Sequence, residues 1–187
     1  MTVDPRRLRT CLGHFATGVT VVTCACEGEP HGATVNAFAG ISLNPPLVMV
    51  SLDLASKACR LLEGNPFTVN VLREQQEALA LRFAGRATGA VEVRWAPRNG
   101  TLAPRLLDTL AYLACTPWRS YDGGDHTLFV GKVEEYAYFG GRPLVFYQGR
   151  FSPVSPPAEE SPWIGSLDSP NAGWLLPAPA TAVKEHA

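Results

Sequence analysis

A basic excess is missing from this chain: sixteen Lys and Arg stand against seventeen Asp and Glu, for a net charge of −1 and a pI near 6.4. Phosphate backbones are bound through such an excess or a basic stripe, so nucleic acid is not expected as a partner. Long hydrophobic runs are missing too. No stretch approaches the roughly 20 apolar residues of a membrane span, and Met1–Pro5 leads into charge rather than into a signal sequence. Membrane association is therefore not expected. Cysteine is sparse: Cys11, Cys24, Cys26, Cys59 and Cys115 are odd in number and scattered, which points to reduced thiols in a cytoplasm. A disulfide framework is not needed, because a chain of 187 residues can bury about 70% of its unfolded surface.

The familiar catalytic signatures are absent as well. The sequence has no G-x-G-x-x-G after a strand, no G-x-x-x-x-G-K-[ST], no H-E-x-x-H and no G-x-S-x-G. Cys24-x-Cys26 places two sulfurs on one face of a strand, but a zinc site needs two more ligands and only His31 lies near in sequence. Core cysteines and no metal are the better reading.

Glycine and proline, by contrast, are plentiful, at 17 and 16 residues, and favour a turn-rich β architecture. Charge divides the chain: residues 1–151 carry +2, and residues 152–187 carry −3 with seven of the prolines. The second stretch is expected to be an extended Pro-rich C-terminal arm. It is either a floppy tail or, because Trp163, Ile164 and Trp174–Leu176 are costly to leave in water, an arm packed on the barrel and reaching a partner subunit.

Within residues 1–151 the punctuation is clear. Asp4-Pro5 reads as an N-cap and first helical position, Leu8, Cys11, Leu12 and Phe15 recur with helical spacing, and Gly18 is the expected stop. Strands are expected at Val19–Cys26, Ala33–Phe38, Leu47–Leu52, Phe67–Leu72, Ala111–Tyr121, Thr127–Phe139 and Leu144–Tyr147. Leu47–Leu52 is almost wholly apolar and so is expected to be buried on both faces. Gly140-Gly141 reads as a hairpin turn, and Ala55–Glu63 and Glu74–Ala84 as helices. With no βαβ alternation, the fold class is mainly β: an antiparallel barrel with peripheral helices.

Three segments suggest a site. In Ala33–Phe38, alternation puts Thr34 and Asn36 on one face, as hydroxyl and amide groups for a planar heterocycle. Val50–Asp53 runs through a turn into Ser56-Lys57-Ala58 at a helix start, where a hydroxyl, an ammonium and free backbone N–H groups make a phosphate cradle. Gly123–Gly131 carries His126 at the opening of a strand, with Gly149-Arg150-Phe151 beyond the following turn. Taken singly, Asn36 as a turn cap, Lys57 as a solvated helix start and Arg150 as a surface residue remain open readings.

Taken in order, Phe15–Thr23, Thr34–Phe38, Ser42–Val48 (SLNPPLV), Gly124–Gly131 and Gly149-Arg150 resemble the short-chain flavin reductases that supply reduced flavin to two-component monooxygenases. The resemblance covers about residues 8–151, and residues 152–187 lie outside it. It implies a Greek-key split β-barrel homodimer that binds FMN or FAD and takes hydride from NADH or NADPH, with a flavin-dependent monooxygenase as partner. By position, Thr34, Val35, Asn36 and Ala37 would line the isoalloxazine edge, and Ser51, Leu52 and Asp53 the ring and ribityl chain. Ser56, Lys57 and Ala58 would hold the phosphate, and Phe83, Ala84 and Gly85 would pass near the flavin. His126, the catalytic candidate, and Arg150 would stand near the nicotinamide nucleotide, His126 as an orienting donor. Ala37 stands where the family commonly has Ser, and Ala58 where a hydroxyl residue is common. Two other readings stay open: a barrel with FMN as a permanent prosthetic group for another substrate, and a non-catalytic flavin-binding or docking module.

Overall fold

The computed structural model describes residues 3–87, 89–97 and 102–155. Helix α1 (Pro5–Leu12) starts where expected: the Asp4 carboxylate accepts the backbone N–H groups of Arg6 and Arg7, with proline in the first turn. It stops at Gly13 rather than Gly18, because the chain must already be extended at β1 (Thr17–Gly18), which pairs with β9 (Val145–Tyr147). Phe15 therefore falls outside the helix.

Seven strands form one antiparallel sheet in the order β3-β2-β6-β7-β8-β5-β4. Their ranges are β2 (Thr20–Cys26), β3 (Glu29–Val35), β4 (Phe38–Leu43), β5 (Pro46–Asp53), β6 (Phe67–Val71), β7 (Ala111–Asp122) and β8 (His126–Tyr138). The single strand expected at Ala33–Phe38 is two. The chain leaves β3 after Val35, crosses at Asn36-Ala37 and enters β4, which lies at the opposite edge of the sheet. In a flat sheet those edges would stand about 29 Å apart, at ~4.8 Å per strand. The step from Val35 to Phe38 spans at most about 11 Å. The sheet must therefore roll until its edges approach, although β3 and β4 do not pair. That rolled sheet with an unpaired seam is the split-barrel architecture.

Strand β5 is not buried on both faces. Val48, Val50 and Leu52 are buried, while Leu47, Met49 and Ser51 between them are half-buried, the alternation of a sheet with one face inward. The inner face joins Val22, Cys24, Val35, Phe67, Val69, Cys115 and Phe129 to Ala58, Cys59 and Leu62 of helix α2 (Lys57–Leu62), so α2 fills the interior of the roll.

A second cluster lies on the outer face of β2, where Val19, Val21, Leu72, Leu106 and Leu144 meet Leu79 and Ala80 of helix α3 (Glu77–Phe83). The expected helix Glu74–Ala84 is a 3₁₀ turn over Glu74–Gln76 followed by α3. Buried Asn70 joins this layer to the sheet: its Nδ2 donates to Val21 O and Thr23 Oγ1, and its Oδ1 accepts from Leu106 N–H. Leaving such an amide unpaired would cost about 1–3 kcal/mol, so the path of the chain near Leu106 is fixed.

Gly140-Gly141 does not close a hairpin. Strand β8 pairs with β7 and β5, whereas β9 belongs to a small sheet in the order β1-β9-β10, with β10 at Arg150–Ser152. The glycines carry the chain between the two sheets. Pro117 interrupts β7 at a bulge, where residue 118 has no partner between the pairs Pro117↔Gly131 and Arg119↔Val130. Residues 156–187, on which the arm reading depends, lie outside the described residues. Among the described residues no helix is long and apolar enough to cross a membrane.

Candidate functional site

The link between β3 and β4 rests on β5, because Ser51 N–H donates to Ala37 O at 3.1 Å. That bond brings two of the sequence-predicted segments, Thr34–Ala37 and Ser51–Asp53, into contact. Asp53 then makes the turn into α2: its Oδ1 accepts from Ala55 N–H at 2.7 Å and its carbonyl from Ser56 N–H at 2.9 Å. Ser56 is the N-cap, with Oγ accepting from Cys59 N–H. The Lys57 side chain stays exposed at the first turn.

Alternation through the strand ends divides these residues. Val35, Leu52 and Ala58 point into the interior cluster, so only their backbones can meet a ligand. The Thr34 hydroxyl donates to Ala80 O at 2.6 Å, and the Asn36 amide donates to Thr17 Oγ1 at 3.3 Å. Both polar groups thus hold a protein partner, and Asn36 ties the link to β1. Ala37 and Asp53 are exposed.

Helix α3 reaches the same strand from the outer side. A Cβ on Gly32 of β3 would sit 2.8 Å from a ring carbon of Phe83, so only glycine lets the ring lie there. Beyond Phe83 the helix ends in a Schellman turn: Arg86 N–H donates to Leu81 O, Gly85 N–H to Arg82 O, and Gly85 has φ +68°. The segment Phe83-Ala84-Gly85 is in this way fixed on both sides.

His126 faces Asp53 in the β5–β8 ladder, and Leu54 N–H donates to Asp125 O. His126 Nδ1 lies 2.7 Å from Asp125 Oδ1. An ionised carboxylate only accepts, so Nδ1 carries the hydrogen and Nε2 is an acceptor in the neutral ring. An orienting donor was expected there; the geometry instead offers an acceptor unless the ring is protonated. The same contact holds the Asp125 carboxyl below the usual carboxylate range, with a smaller contribution from Arg9.

Arg150 opens β10 opposite Tyr147, beyond a two-residue turn with positive φ at Gln148 and Gly149. It is exposed and belongs to the small sheet rather than to the β3–β5–α2 cluster. Sequence reasoning weighed His31 only as a metal ligand. His31 pairs with Cys24 on the face that carries α2, and burial followed by the Lys57 charge pushes its pKa down. Its place there is set by the β2–β3 register, which residue spacing along the chain does not carry. Among the described residues no three metal-ligating side chains come together. A cleft of about 630 Å³ lies between α1 and the Gln148-Gly149 turn, and none of the sequence-predicted site residues is among those lining it.

Residues 12–155 match the flavin reductase like domain family. An NADH-dependent flavin reductase of a Rhodococcus species is 44% identical over 165 residues, covering 86% of this chain and 93% of that protein. The reductase subunit HsaB of a flavin-dependent monooxygenase from Rhodococcus jostii is 35% identical, covering 89% of this chain and 87% of its own. Among solved structures, the flavin reductase PheA2 superposes with a TM-score of 0.77 at 36% identity, over 82% of this chain and all of that one.

Proposed function

This chain belongs to the flavin reductase like family, and from that premise we propose the reaction and the roles of its residues. It is an NADH-dependent flavin oxidoreductase that reduces FMN or FAD and supplies reduced flavin to a monooxygenase. The observation that carries the reading is the Ser51–Ala37 hydrogen bond, which gathers the β3–β4 link, the end of β5 and the start of α2 around one place.

The residues present fit a flavin. The methyl-sized Ala37 leaves room at the link, backbone groups of Val35, Leu52 and Ala58 are fixed by buried side chains, and Lys57 supplies a cation for a phosphate. When bound, the flavin supplies the two-electron acceptor chemistry. The protein's own work is to bind, orient and exclude water. Asp53, committed to its turn, fixes the approach to α2, while Asn36 offers an amide oxygen at the β3–β4 link. His126 Nε2, oriented through Asp125, accepts from the amide group of a nicotinamide, and Arg150 attracts the phosphates of that donor. Phe83 to Gly85 form the outer wall. Ala58 and Ala37 bring no side-chain hydrogen bond, which suits a flavin that leaves as a product.

Residues 1–151 make up this domain and 152–187 are an extension of it. The working unit is a homodimer: Leu8, Leu12 and Phe15 are 45%, 65% and 79% exposed, an apolar surface for a second copy to cover. The five free thiols accord with a cytoplasmic location.

The test is steady-state NADH oxidation by purified protein under air with FMN, with FAD and with neither. Turnover saturable in flavin is expected. No oxidation with either flavin overturns the reading, and a tightly yellow protein indifferent to added flavin replaces it with a resident prosthetic group.

A further inference from the structure

Helix α1 has two opposite faces. At about 100° per residue, Leu8, Cys11 and Leu12 cluster on one side, and Arg6, Arg9, Thr10 and the C-cap Gly13 on the other. The polar side is turned toward the body of the protein. Pro5, Arg6, Arg9, Thr10 and Gly13 line the cleft of about 630 Å³, with Gln148 and Gly149 as its far wall. Gln148 N–H donates to Gly13 O at 2.9 Å, which ties the two walls together at one end.

The volume falls within the range of small-ligand sites, roughly 300–1,000 Å³. The charge is of one sign. No carboxylate lines the cleft, and neither guanidinium forms an ion pair among the described residues. Side chains three apart on a helix stand about 5–6 Å from one another at Cβ. Two guanidinium groups at that spacing match two linked phosphates, which arginine binds in paired hydrogen bonds. Gly149, in the far wall, directly precedes Arg150, which opens β10. The cleft therefore adjoins Arg150, the residue assigned to the phosphates of the nicotinamide donor.

We propose that the cleft between α1 and the Gln148-Gly149 turn binds the adenosine diphosphate arm of a dinucleotide through Arg6 and Arg9. The inference rests on the flavin reductase reading for its ligand. Two dinucleotides carry that arm, the nicotinamide donor and FAD, and the experiment separates them.

Isothermal calorimetry with ADP is compared for the wild-type protein and the double variant Arg6→Gln/Arg9→Gln, whose exposed positions leave the melting temperature as a control for folding. ADP bound by the wild type and weakened at least tenfold in the variant is the expected result. Turnover then assigns the source. A rise of about tenfold in the KM ratio of NADH to reduced nicotinamide mononucleotide places the donor in the cleft. An equal rise in the ratio of FAD to FMN places the flavin there. Because calorimetry needs no turnover, an inactive protein that binds ADP overturns the flavin reductase reading and leaves the cleft standing. Absence of ADP binding to the wild type overturns the cleft, as does a variant that binds ADP unchanged or leaves both ratios unmoved.

Discussion

Helix α1 begins under the Asp4 carboxylate and α2 under the Ser56 hydroxyl, and they are eight and six residues long. Their caps are equivalent, but their surroundings are not. Three residues of α2, Ala58, Cys59 and Leu62, are buried in the interior of the roll, while α1 buries none. A cap therefore decides where a helix starts, and burial decides whether the rest of the molecule depends on it. Helix α2 is anchored by that burial, and the proposed phosphate cradle starts from it. Helix α1 leaves Leu8 and Leu12 exposed on one face and lines the basic cleft with the other, so little of its own chain holds it.

The two helices should differ most at the buried end of α2. Leu62→Ala should cost about 2–5 kcal/mol of unfolding free energy in denaturant titration, the range for a cavity in a packed core. Leu12→Ala should change it by less than about 0.5 kcal/mol in the dilute monomer while raising the dimer dissociation constant in sedimentation. Equal losses would mean that α1 is as deeply rooted as α2.

Lys57→Ala tests the ligand side of α2. FMN binding should weaken by about 1–3 kcal/mol, and riboflavin, which lacks the phosphate, should bind nearly as before. A matching loss for riboflavin would remove Lys57 from the phosphate.

The caps give a smaller contrast. Ser56→Ala should lower global stability by about 1 kcal/mol. Asp4→Ala should leave the melting temperature unchanged and speed amide hydrogen exchange only in residues 6–10, because α1 can fray alone.

The smallest effect is a pH dependence beside α2. The His31 pKa is pushed below its ordinary 6.5 by burial and then by Lys57. The unfolded chain thus takes up this proton first as pH falls. Its contribution is intact above about pH 6.5 and is lost as pH drops toward the lower folded value. His31→Gln should flatten the stability profile in that window, and an unchanged slope would assign it elsewhere.

Much of the fold was legible because local chemistry set it. Asp4-Pro5, the glycine turn before His126 and the long runs of β7 and β8 needed no distant partner to declare themselves. Strand β4 was missed because Phe38–Leu43 contains Gly40 and follows β3 without a turn signal. Strand β5 was misread because its outward positions, Leu47 and Met49, are also apolar, so composition hid the alternation. The Gly140-Gly141 turn could be seen, but not which sheet the next strand would join. At the site, sequence order named the segments, whereas the buried state of Val35, Leu52 and Ala58 and the approach of His31 to Lys57 depend on long-range register. Arg6 and Arg9 lie on the polar face of α1, and what a polar face meets is set by the distant Gln148-Gly149 turn rather than by the apolar repeat.

The unpaired seam between β3 and β4 has a consequence for how copies of this protein meet. Open sheet edges invite strand addition from another chain, the first step toward fibrous aggregates. Here both edges are blunted: Pro30 in β3 has no amide hydrogen to offer, and β4 is kinked by a register shift between Gly40 and Ser42. Growth by edge-to-edge recruitment is thereby discouraged at the place where the backbone is least committed. The seam is thus poorly matched to a foreign strand.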